Sequence, residues 1–181
     1  MKQLAILGST GSVGKAALDV ARAHGKEFRV VGLGAGRNVE ALRAQITEFK
    51  PALVSVVEEK DAAALRREFP GVKILAGAAG AEAVASLEEA DTVLAAIVGA
   101  AGLRSTYAAV RAGKRVALAN KESMVIAGAL MREAAAKSGA EIVPVDSEHS
   151  AVFQCLNGEN RARVRRILLT ASGGPFLRRD A

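Results

Sequence analysis

Two acidic side chains are spaced for metal or acid–base chemistry in the last third of the chain. Asp146 and Glu148 directly follow an apolar run at 140–145 that is typical of a strand. While the backbone stays extended, alternate side chains project to one side, so the two carboxylates would converge on one point. Such a pair repels unless a proton or a hard divalent cation lies between, and oxygen ligands suit Mg²⁺ or Mn²⁺.

The same residues fit a plainer structural role equally well. Asp146 or Ser147 could merely cap a helix that the sequence predicts over 151–156. His149 lies on the opposite pleat from Glu148, so we expect it to support the site rather than to bind a metal.

A lysine follows another predicted strand, at 115–119. Lys121 stands in the segment Asn120-Lys121-Glu122-Ser123, just before a predicted helix at 123–137. At the carboxyl end of a strand its ammonium group can hold an oxyanion or a phosphate. Alternatively, Lys121 is half of a Lys–Glu pair on the surface.

A third polar segment lies close to the end of the chain. Ser172-Gly173-Gly174 follows a run at 164–169 that predicts a strand. The Ser172 hydroxyl and free backbone amides of such a loop can cradle an anion, although an ordinary turn has the same composition.

The glycine turn near the N-terminus indicates a nucleotide. Gly8, Gly11 and Gly14 are spaced Gly-x-x-Gly-x-x-Gly between the apolar run at 4–7 and a helical pattern. The amides and the dipole at the start of a helix favour a phosphate. We expect Gly11 to adopt a positive φ, Gly14 to let the helix approach the strand and Ser12 to cap the helix. A plain strand–helix turn is the alternative.

The end of the second predicted strand, at 28–33, distinguishes two dinucleotides. An acid at this position would bind the ribose of NAD, whereas an arginine accommodates the 2′-phosphate of NADP. The segment at 34–38 holds no acid but contains Arg37, which favours NADP over the alternative of a surface arginine. Asn38 is expected to cap a helix at 39–49.

Alternating strands and helices position all of these residues. Short apolar runs alternate with helical patterns, which predicts an α/β fold of the Rossmann type: a doubly wound, mostly parallel sheet with helices on both faces. Carboxyl ends of parallel strands share one edge, so the turn, Lys121 and the two acids would meet there. We predict an NADPH-binding domain over 1–146 and the beginning of a catalytic α+β domain over 147–181.

Composition excludes several classes of function. The net charge of +6 suits an anionic partner, but aromatic residues make up only 3%, which disfavours nucleic acid and favours a phosphorylated small molecule. No membrane-length segment or signal-peptide pattern is present, so we expect a cytoplasmic location. Cys155 stands alone within an apolar helical pattern and is expected to be a small core residue.

Several long segments, taken in order, resemble the N-terminal part of the 1-deoxy-D-xylulose 5-phosphate reductoisomerase family. They are GSTGSVG at 8–14, AGRN at 35–38, AAIVGAAGL at 95–103, ALANKES at 117–123, PVDSEHSAVFQ at 144–154 and LLTASGGPF at 168–176. Many members of the family have Lys where this chain has Arg37, and the change preserves the positive charge.

The resemblance implies a role for each candidate residue. Thr10, Gly11, Ser12 and Val13 would contact the NADPH pyrophosphate, Gly36, Arg37 and Asn38 the 2′-phosphate, and Asn120 and Glu122 other parts of the coenzyme. Asp146 and Glu148 would bind the divalent metal (Mn²⁺, Mg²⁺ or Co²⁺), whereas Lys121, Ser147, Glu148 and Ser172 would bind substrate. Lys121, Asp146 and Glu148 would form the catalytic set.

The implied reaction converts 1-deoxy-D-xylulose 5-phosphate to 2-C-methyl-D-erythritol 4-phosphate, with a metal-assisted rearrangement followed by hydride transfer from NADPH. The family's third metal-binding carboxylate and its lid follow the Ser-Gly-Gly segment. We therefore expect these 181 residues to bind NADPH but to turn over substrate poorly or not at all. A homodimer is implied for the full-length protein.

Two other functions remain open from the sequence. An NADP-dependent aldehyde or semialdehyde dehydrogenase would need a nucleophilic cysteine, and Cys155 is poorly placed for one. A non-catalytic NADP-binding module would explain the glycine turn and Arg37 but would leave Asp146 and Glu148 without a role.

Overall fold

A seven-stranded sheet forms the centre of the protein. The computed structural model describes residues 1–169. All strand pairs in the sheet are parallel, in the order β4-β3-β2-β1-β5-β6-β7. The strands are β1 (Lys2–Leu7), β2 (Phe28–Gly34), β3 (Leu53–Val56), β4 (Lys73–Ala76), β5 (Thr92–Ala95), β6 (Arg115–Leu118) and β7 (Glu141–Pro144). The α-helices are α1 (Ser12–Ala23), α2 (Val39–Phe49), α3 (Glu59–Glu68), α4 (Gly77–Ala85), α5 (Leu103–Arg111), α6 (Glu122–Ser138) and α7 (Ser147–Leu156), with short 3₁₀ helices at Gly99–Gly102 and Arg161–Arg163.

Helices cover both faces of the sheet, which confirms the doubly wound fold. One apolar cluster contains Leu18, Leu42 and Leu65, and so joins α1, α2 and α3 to the sheet. The other contains Val84 and Met131 and joins α4 and α6 to the opposite face. Both faces of the central strands are therefore buried, and this accounts for the continuous apolar runs that predicted them.

The order of the strands reverses between β1 and β5. The chain winds outward from β1 to β4, returns through α4, and then winds the other way through β5, β6 and β7. In open parallel sheets, ligands bind outside the carboxyl ends of the strands at this switch point. The glycine turn follows β1 directly, so the fold brings it to that point.

The region after β7 differs from the sequence predictions. Helix α7 begins at Ser147, four residues before the predicted start at Ala151, and Asp146 is its N-cap residue without a capping hydrogen bond from its side chain. The strand predicted over 164–169 is absent, since these residues are exposed and pair with no strand of the described chain.

Among the helices in the described range, none is long and apolar enough to span a membrane.

Candidate active site

The glycine turn is fixed by hydrogen bonds to the end of β2. The amides of Gly8 and Ser9 both donate to the carbonyl of Gly34, at 2.8 and 3.0 Å. Gly11 then donates to the carbonyl of Gly8 at 3.0 Å, which closes the turn. Helix α1 begins immediately afterwards, and the first amides of a helix have no partner within it. They remain available for an anion.

Close packing makes two glycines of this turn necessary. Gly8 has φ +84°, and a Cβ there would lie 2.5 Å from the carbonyl oxygen of Ala96. A Cβ on Gly14 would lie 2.6 Å from the Cα of Ser9, which confirms the expected close approach of α1 to β1. The prediction that Ser12 caps the helix is wrong, because Gly11 is the N-cap and no side chain caps the helix there.

A crevice of about 150 Å³ opens between the carboxyl ends of β1, β5 and β6. It is lined by Gly11, Ser12 and Val13 of the turn, and by Asn120, Lys121 and Glu122 after β6, with Ala96, Ile97, Val98 and Ala119 completing the wall. Thr10 stands next to these residues in the turn and is half-buried. The structure thus brings together the two segments that the sequence could only place on the same edge.

Asn120 holds the crevice together from inside. Its side chain is 3% exposed, and its Nδ2 donates to the carbonyls of Ile97 and, at 2.8 Å, Gly99. Its Oδ1 accepts from the amide and the hydroxyl of Ser123, both at 2.8 Å. Both donors and the acceptor of the amide are therefore used within the protein, which favours a structural role for this side chain.

Gly102, a residue that no sequence prediction assigned to the site, leaves space for the side chain of Asn120. A Cβ at this position would lie 2.5 Å from Asn120 Nδ2. The small-residue segment at 99–102 was the available signal, although a glycine pattern alone does not reveal which side chain needs the space.

Arg37 lies at the carboxyl end of β2, next to β1 on the same edge. Gly36, Arg37 and Asn38 are all exposed, and the space around Gly36 is open within 4 Å of a Cβ position. Asn38 caps α2 as predicted, since its Oδ1 accepts from the amide of Ala41 at 3.1 Å. The cap fixes the start of α2 and leaves the guanidinium of Arg37 at the surface.

Lys121 connects the crevice with a second cavity, of about 430 Å³. This cavity is lined by Lys121, Asp146 and His149 together with the apolar residues Leu118, Met124, Val125, Ile142 and Pro144. The ammonium nitrogen of Lys121 lies 4.0 Å from Asp146 Oδ2. The alternative of a Lys–Glu surface pair is not favoured, because the ion pair of Lys121 is with Asp146.

Asp146 is largely shielded from water, with its side chain 13% exposed. Desolvation opposes ionisation, but hydrogen bonding from His149 and the charges of His149 and Lys121 outweigh it, so the pKa of Asp146 is lowered. His149 Nδ1 lies 2.6 Å from Asp146 Oδ2, which agrees with its expected supporting role. The close contacts of His149 Nδ1 and Lys121 Nζ are both with Oδ2 of Asp146.

Glu148 faces a different cavity from Asp146. Ser147 and Glu148 line a hollow of about 500 Å³ together with Cys155 and the segment at 163–169. The expected convergence through an extended backbone is wrong, because Glu148 already lies in the first turn of α7. Across residues 1–169, no three His, Cys, Asp or Glu side chains are grouped so that they could hold a metal ion. Two carboxylates at one edge are what the described chain offers.

Two further predictions concern the end of the chain. Cys155 is exposed, so its expected place in a core is wrong: α7 contains no buried residue. Ser172, the predicted phosphate contact, lies outside the described residues.

Comparison with known proteins identifies the family. The family model described as 1-deoxy-D-xylulose 5-phosphate reductoisomerase matches residues 4–128, and the model of that enzyme's C-terminal domain matches residues 142–181. The chain belongs to the 1-deoxy-D-xylulose 5-phosphate reductoisomerase family. A curated family member from Anaeromyxobacter sp. (strain K) is 60% identical over 177 residues, which are 97% of this chain and 45% of the relative.

Solved structures of 1-deoxy-D-xylulose 5-phosphate reductoisomerases share the fold. The enzyme from Zymomonas mobilis, in complex with NADPH, superposes with a TM-score of 0.90 at 41% identity, over 99% of this chain and 48% of that one. A DOX-P reductoisomerase in complex with NADPH, fosmidomycin and magnesium gives a TM-score of 0.83 at 45% identity, over 86% and 39% of the two chains. The chain thus spans less than half the length of these family members.

Proposed function

We propose that this chain is the coenzyme-binding part of a 1-deoxy-D-xylulose 5-phosphate reductoisomerase and contributes the first acidic residues of its metal site. The full-length protein would convert 1-deoxy-D-xylulose 5-phosphate to 2-C-methyl-D-erythritol 4-phosphate. The observation that carries the proposal is the crevice at the switch point, where residues 11–13 face residues 120–122. Lys121 extends from that crevice to Asp146, so coenzyme and substrate would lie on either side of this one lysine.

NADPH fits the chemistry of this edge. The free amides at the start of α1 suit a pyrophosphate, and the exposed guanidinium of Arg37 suits a 2′-phosphate. Bound NADPH would supply the hydride. Thr10, Gly11, Ser12 and Val13 would position the pyrophosphate, Gly36, Arg37 and Asn38 the 2′-phosphate, and Glu122, with the backbone of Asn120, the part nearest the crevice.

A hard divalent cation fits the acidic residues by their donor type. The pKa of Asp146 is lowered, so its carboxylate is ionised at neutral pH, as a metal ligand must be. Bound Mg²⁺, Mn²⁺ or Co²⁺ would act as a Lewis acid on substrate oxygens. Asp146 would bind the ion, and Glu148 would join it by turning its side chain from the hollow of about 500 Å³ towards Asp146. His149 would orient Asp146, and Lys121 would hold substrate with Ser147, Glu148 and Ser172.

We further propose that the 181 residues by themselves bind NADPH but turn over substrate poorly. The chain spans 45% of its Anaeromyxobacter relative, and its described part offers two carboxylates but no group of three potential ligands. We also propose that the full-length protein is a homodimer, as the family resemblance implies, and that it is cytoplasmic, with a phosphorylated sugar rather than nucleic acid or membrane as its partner.

The test is coenzyme titration of the 181-residue chain, followed by NADPH fluorescence. Since the sequence contains no tryptophan, protein emission does not interfere. We expect Arg37→Glu to weaken NADPH binding by roughly 10- to 100-fold through loss of charge-assisted hydrogen bonds, and to leave NADH binding little changed. Arg37→Lys serves as the matched control and should retain most of the preference. Equal affinity of the original chain for NADPH and NADH would refute the coenzyme assignment.

A second assay tests the catalytic part of the proposal. Rapid NADPH oxidation by the isolated chain, with Mn²⁺ and 1-deoxy-D-xylulose 5-phosphate, would show that residues outside the chain are not needed for turnover. In the full-length protein, activity that persists after treatment with a thiol reagent would also distinguish this function from that of an aldehyde dehydrogenase, which needs a nucleophilic cysteine.

A further inference from the structure

Gln45 is a buried polar residue that contacts the glycine turn from a distant part of the sequence. It lies in α2 and is 7% exposed, whereas Ser9 in the turn is 0% exposed. Gln45 Nε2 donates to the carbonyl oxygen of Ser9 at 3.0 Å, across 36 positions of sequence. None of the motifs in the sequence pointed to this residue.

The chemistry of the contact fixes the orientation of the Gln45 amide. A backbone carbonyl only accepts hydrogen bonds, so Nε2 rather than Oε1 must face Ser9. Gln45 Oε1 is then left without a partner in the described chain, as is the hydroxyl of Ser9. Burying an unpaired oxygen is destabilising, so stability alone does not account for a glutamine between the buried residues Leu42 and Ile46.

The contact completes a clamp on Ser9, because the peptide units on both sides of this residue are now hydrogen-bonded. The Ser9 amide donates to Gly34 at the end of β2, while the Ser9 carbonyl accepts from Gln45 in α2. Residues 11–13, which line the crevice, follow directly. Because the Ser9 carbonyl and the Thr10 amide share one planar peptide unit, fixing the carbonyl also fixes the direction of the Thr10 amide, at the entrance to residues 11–13.

The same helix begins at the other end of the coenzyme site. Asn38 caps α2, and Arg37 precedes the cap. Seven residues separate Asn38 from Gln45, which is about 10 Å along a helix at 1.5 Å per residue. Helix α2 therefore joins the arginine to the turn through one side chain.

We propose that Gln45 is a positioning residue for dinucleotide binding: it holds the phosphate-binding turn at a set distance from Arg37. The inference rests on the proposed function, since it concerns NADPH in that crevice. It adds a residue that touches no part of the coenzyme and acts through Ser9.

The experiment replaces the donor while keeping the length of the side chain. In the 181-residue chain, Gln45→Met removes the hydrogen bond, and Gln45→Leu is a second variant if methionine impairs folding. Ile46→Val is the matched control, because Ile46 is the buried neighbour on the same helix and its hydrocarbon side chain cannot donate a hydrogen bond. The measurements are the dissociation constants of NADPH and of adenosine 2′-phosphate, thermal unfolding, and hydrogen–deuterium exchange of residues 8–14 without ligand.

We expect Gln45→Met to raise the NADPH dissociation constant by about tenfold, the size of one lost hydrogen bond. Adenosine 2′-phosphate should bind as before, because Arg37 and Asn38 remain on α2. Exchange at residues 8–14 should accelerate in Gln45→Met and not in Ile46→Val. These results together support the proposal.

Three results would overturn it. An unchanged NADPH affinity, or unchanged exchange in the turn, would show that Ser9 is held without Gln45. An equal loss for NADPH and adenosine 2′-phosphate would indicate general loosening of the domain. If the original chain itself fails to bind NADPH, the proposed function fails first and this inference falls with it, whereas a defect limited to the variants leaves the proposed function intact.

Discussion

The turn after β1 and the segment after β7 lie on the same edge of the sheet but are held very differently. Ala5, Ile6 and Leu7, which precede the turn, are at most 1% exposed. By contrast, the residues of β7 are only partly buried or exposed, and α7 contains no buried residue. The structure therefore preorganises the region around the glycine turn, which is proposed to bind the coenzyme (the coenzyme side), whereas the region around Asp146 (the acidic side) has few contacts to hold it.

This difference follows from the position of the strands. β1 is central and packs between helices on both faces, whereas β7 is at the edge and pairs only with β6 within the described sheet. Central strands bury both faces and resist local opening more than edge strands do. A binding site at the centre of the sheet is therefore held by the strands and helices around it. A binding site at the edge depends on additional packing against the edge strand.

The largest expected effect tests how rigid the coenzyme side is. Gly14→Ala places a Cβ against the backbone of Ser9, at 2.6 Å from its Cα, and backbone atoms cannot move aside as a flexible side chain can. We expect a loss of about 1–3 kcal/mol in the free energy of unfolding, with loss of NADPH binding. Urea denaturation measures the first and coenzyme fluorescence the second.

Gly71→Ala is the control for this substitution. No atom lies within 4 Å of a Cβ at Gly71, so its effect should stay within about 0.5 kcal/mol. If the two variants unfold alike, the close approach of α1 to β1 is not what fixes the turn.

The next prediction tests whether β6 belongs to the rigid side. Asn120→Ala removes hydrogen bonds to two carbonyls and to Ser123, and leaves buried groups unpaired. We expect the free energy of unfolding to fall by about 1–3 kcal/mol. NADPH should bind more weakly, because Asn120 fixes both walls of the crevice. Asn157→Ala, at an exposed asparagine, should change neither quantity.

Retained NADPH affinity in a folded Asn120→Ala variant would contradict this prediction. The crevice would then depend on the glycine turn alone, and the rigid region would end at β5.

The smallest effect concerns the acidic side. Because the pKa of Asp146 is lowered in the fold, its ionised form stabilises the native state above the ordinary pKa of 3.8. This contribution is lost as the pH falls from that value towards the lowered one. We expect the original chain to lose slightly more stability than Asp146→Asn between about pH 5 and pH 2, by less than about 1 kcal/mol.

Urea denaturation at a series of pH values measures this difference, with Asp19→Asn as an exposed aspartate for comparison. A large difference at Asp146 would mean that the acidic side is held as firmly as the coenzyme side, which would remove the contrast between the two regions.

The sequence by itself determined the order and type of the elements that build the sheet. Buried strands of a parallel sheet are continuous apolar runs, and the runs at 4–7, 28–33 and 115–119 predicted β1, β2 and β6 to within a few residues. It also predicted the glycine turn and the close approach at Gly14, but the positive φ is at Gly8 and not at Gly11, whose φ is −79°. The cap at Asn38 was predictable from the local sequence.

Predictions from local sequence patterns were wrong in the region after β7, where the packing of distant residues decides which side chains are buried. The apolar residues of α7 indicated packing, yet Cys155 is exposed because the described chain places no second layer over that helix. Asp146-Ser147-Glu148 continued an extended run by its pattern, although an aspartate followed by serine and glutamate also suits the start of a helix.

Only the tertiary structure decided which of these residues meet. It placed Lys121 between the crevice and Asp146, and it brought Gln45 within hydrogen-bond distance of Ser9. It also engaged the side chain of Asn120 in hydrogen bonds within the protein. Such contacts join positions far apart in the sequence. They depend on the strand order and on packing between layers, and a local pattern of residue types carries no information about either.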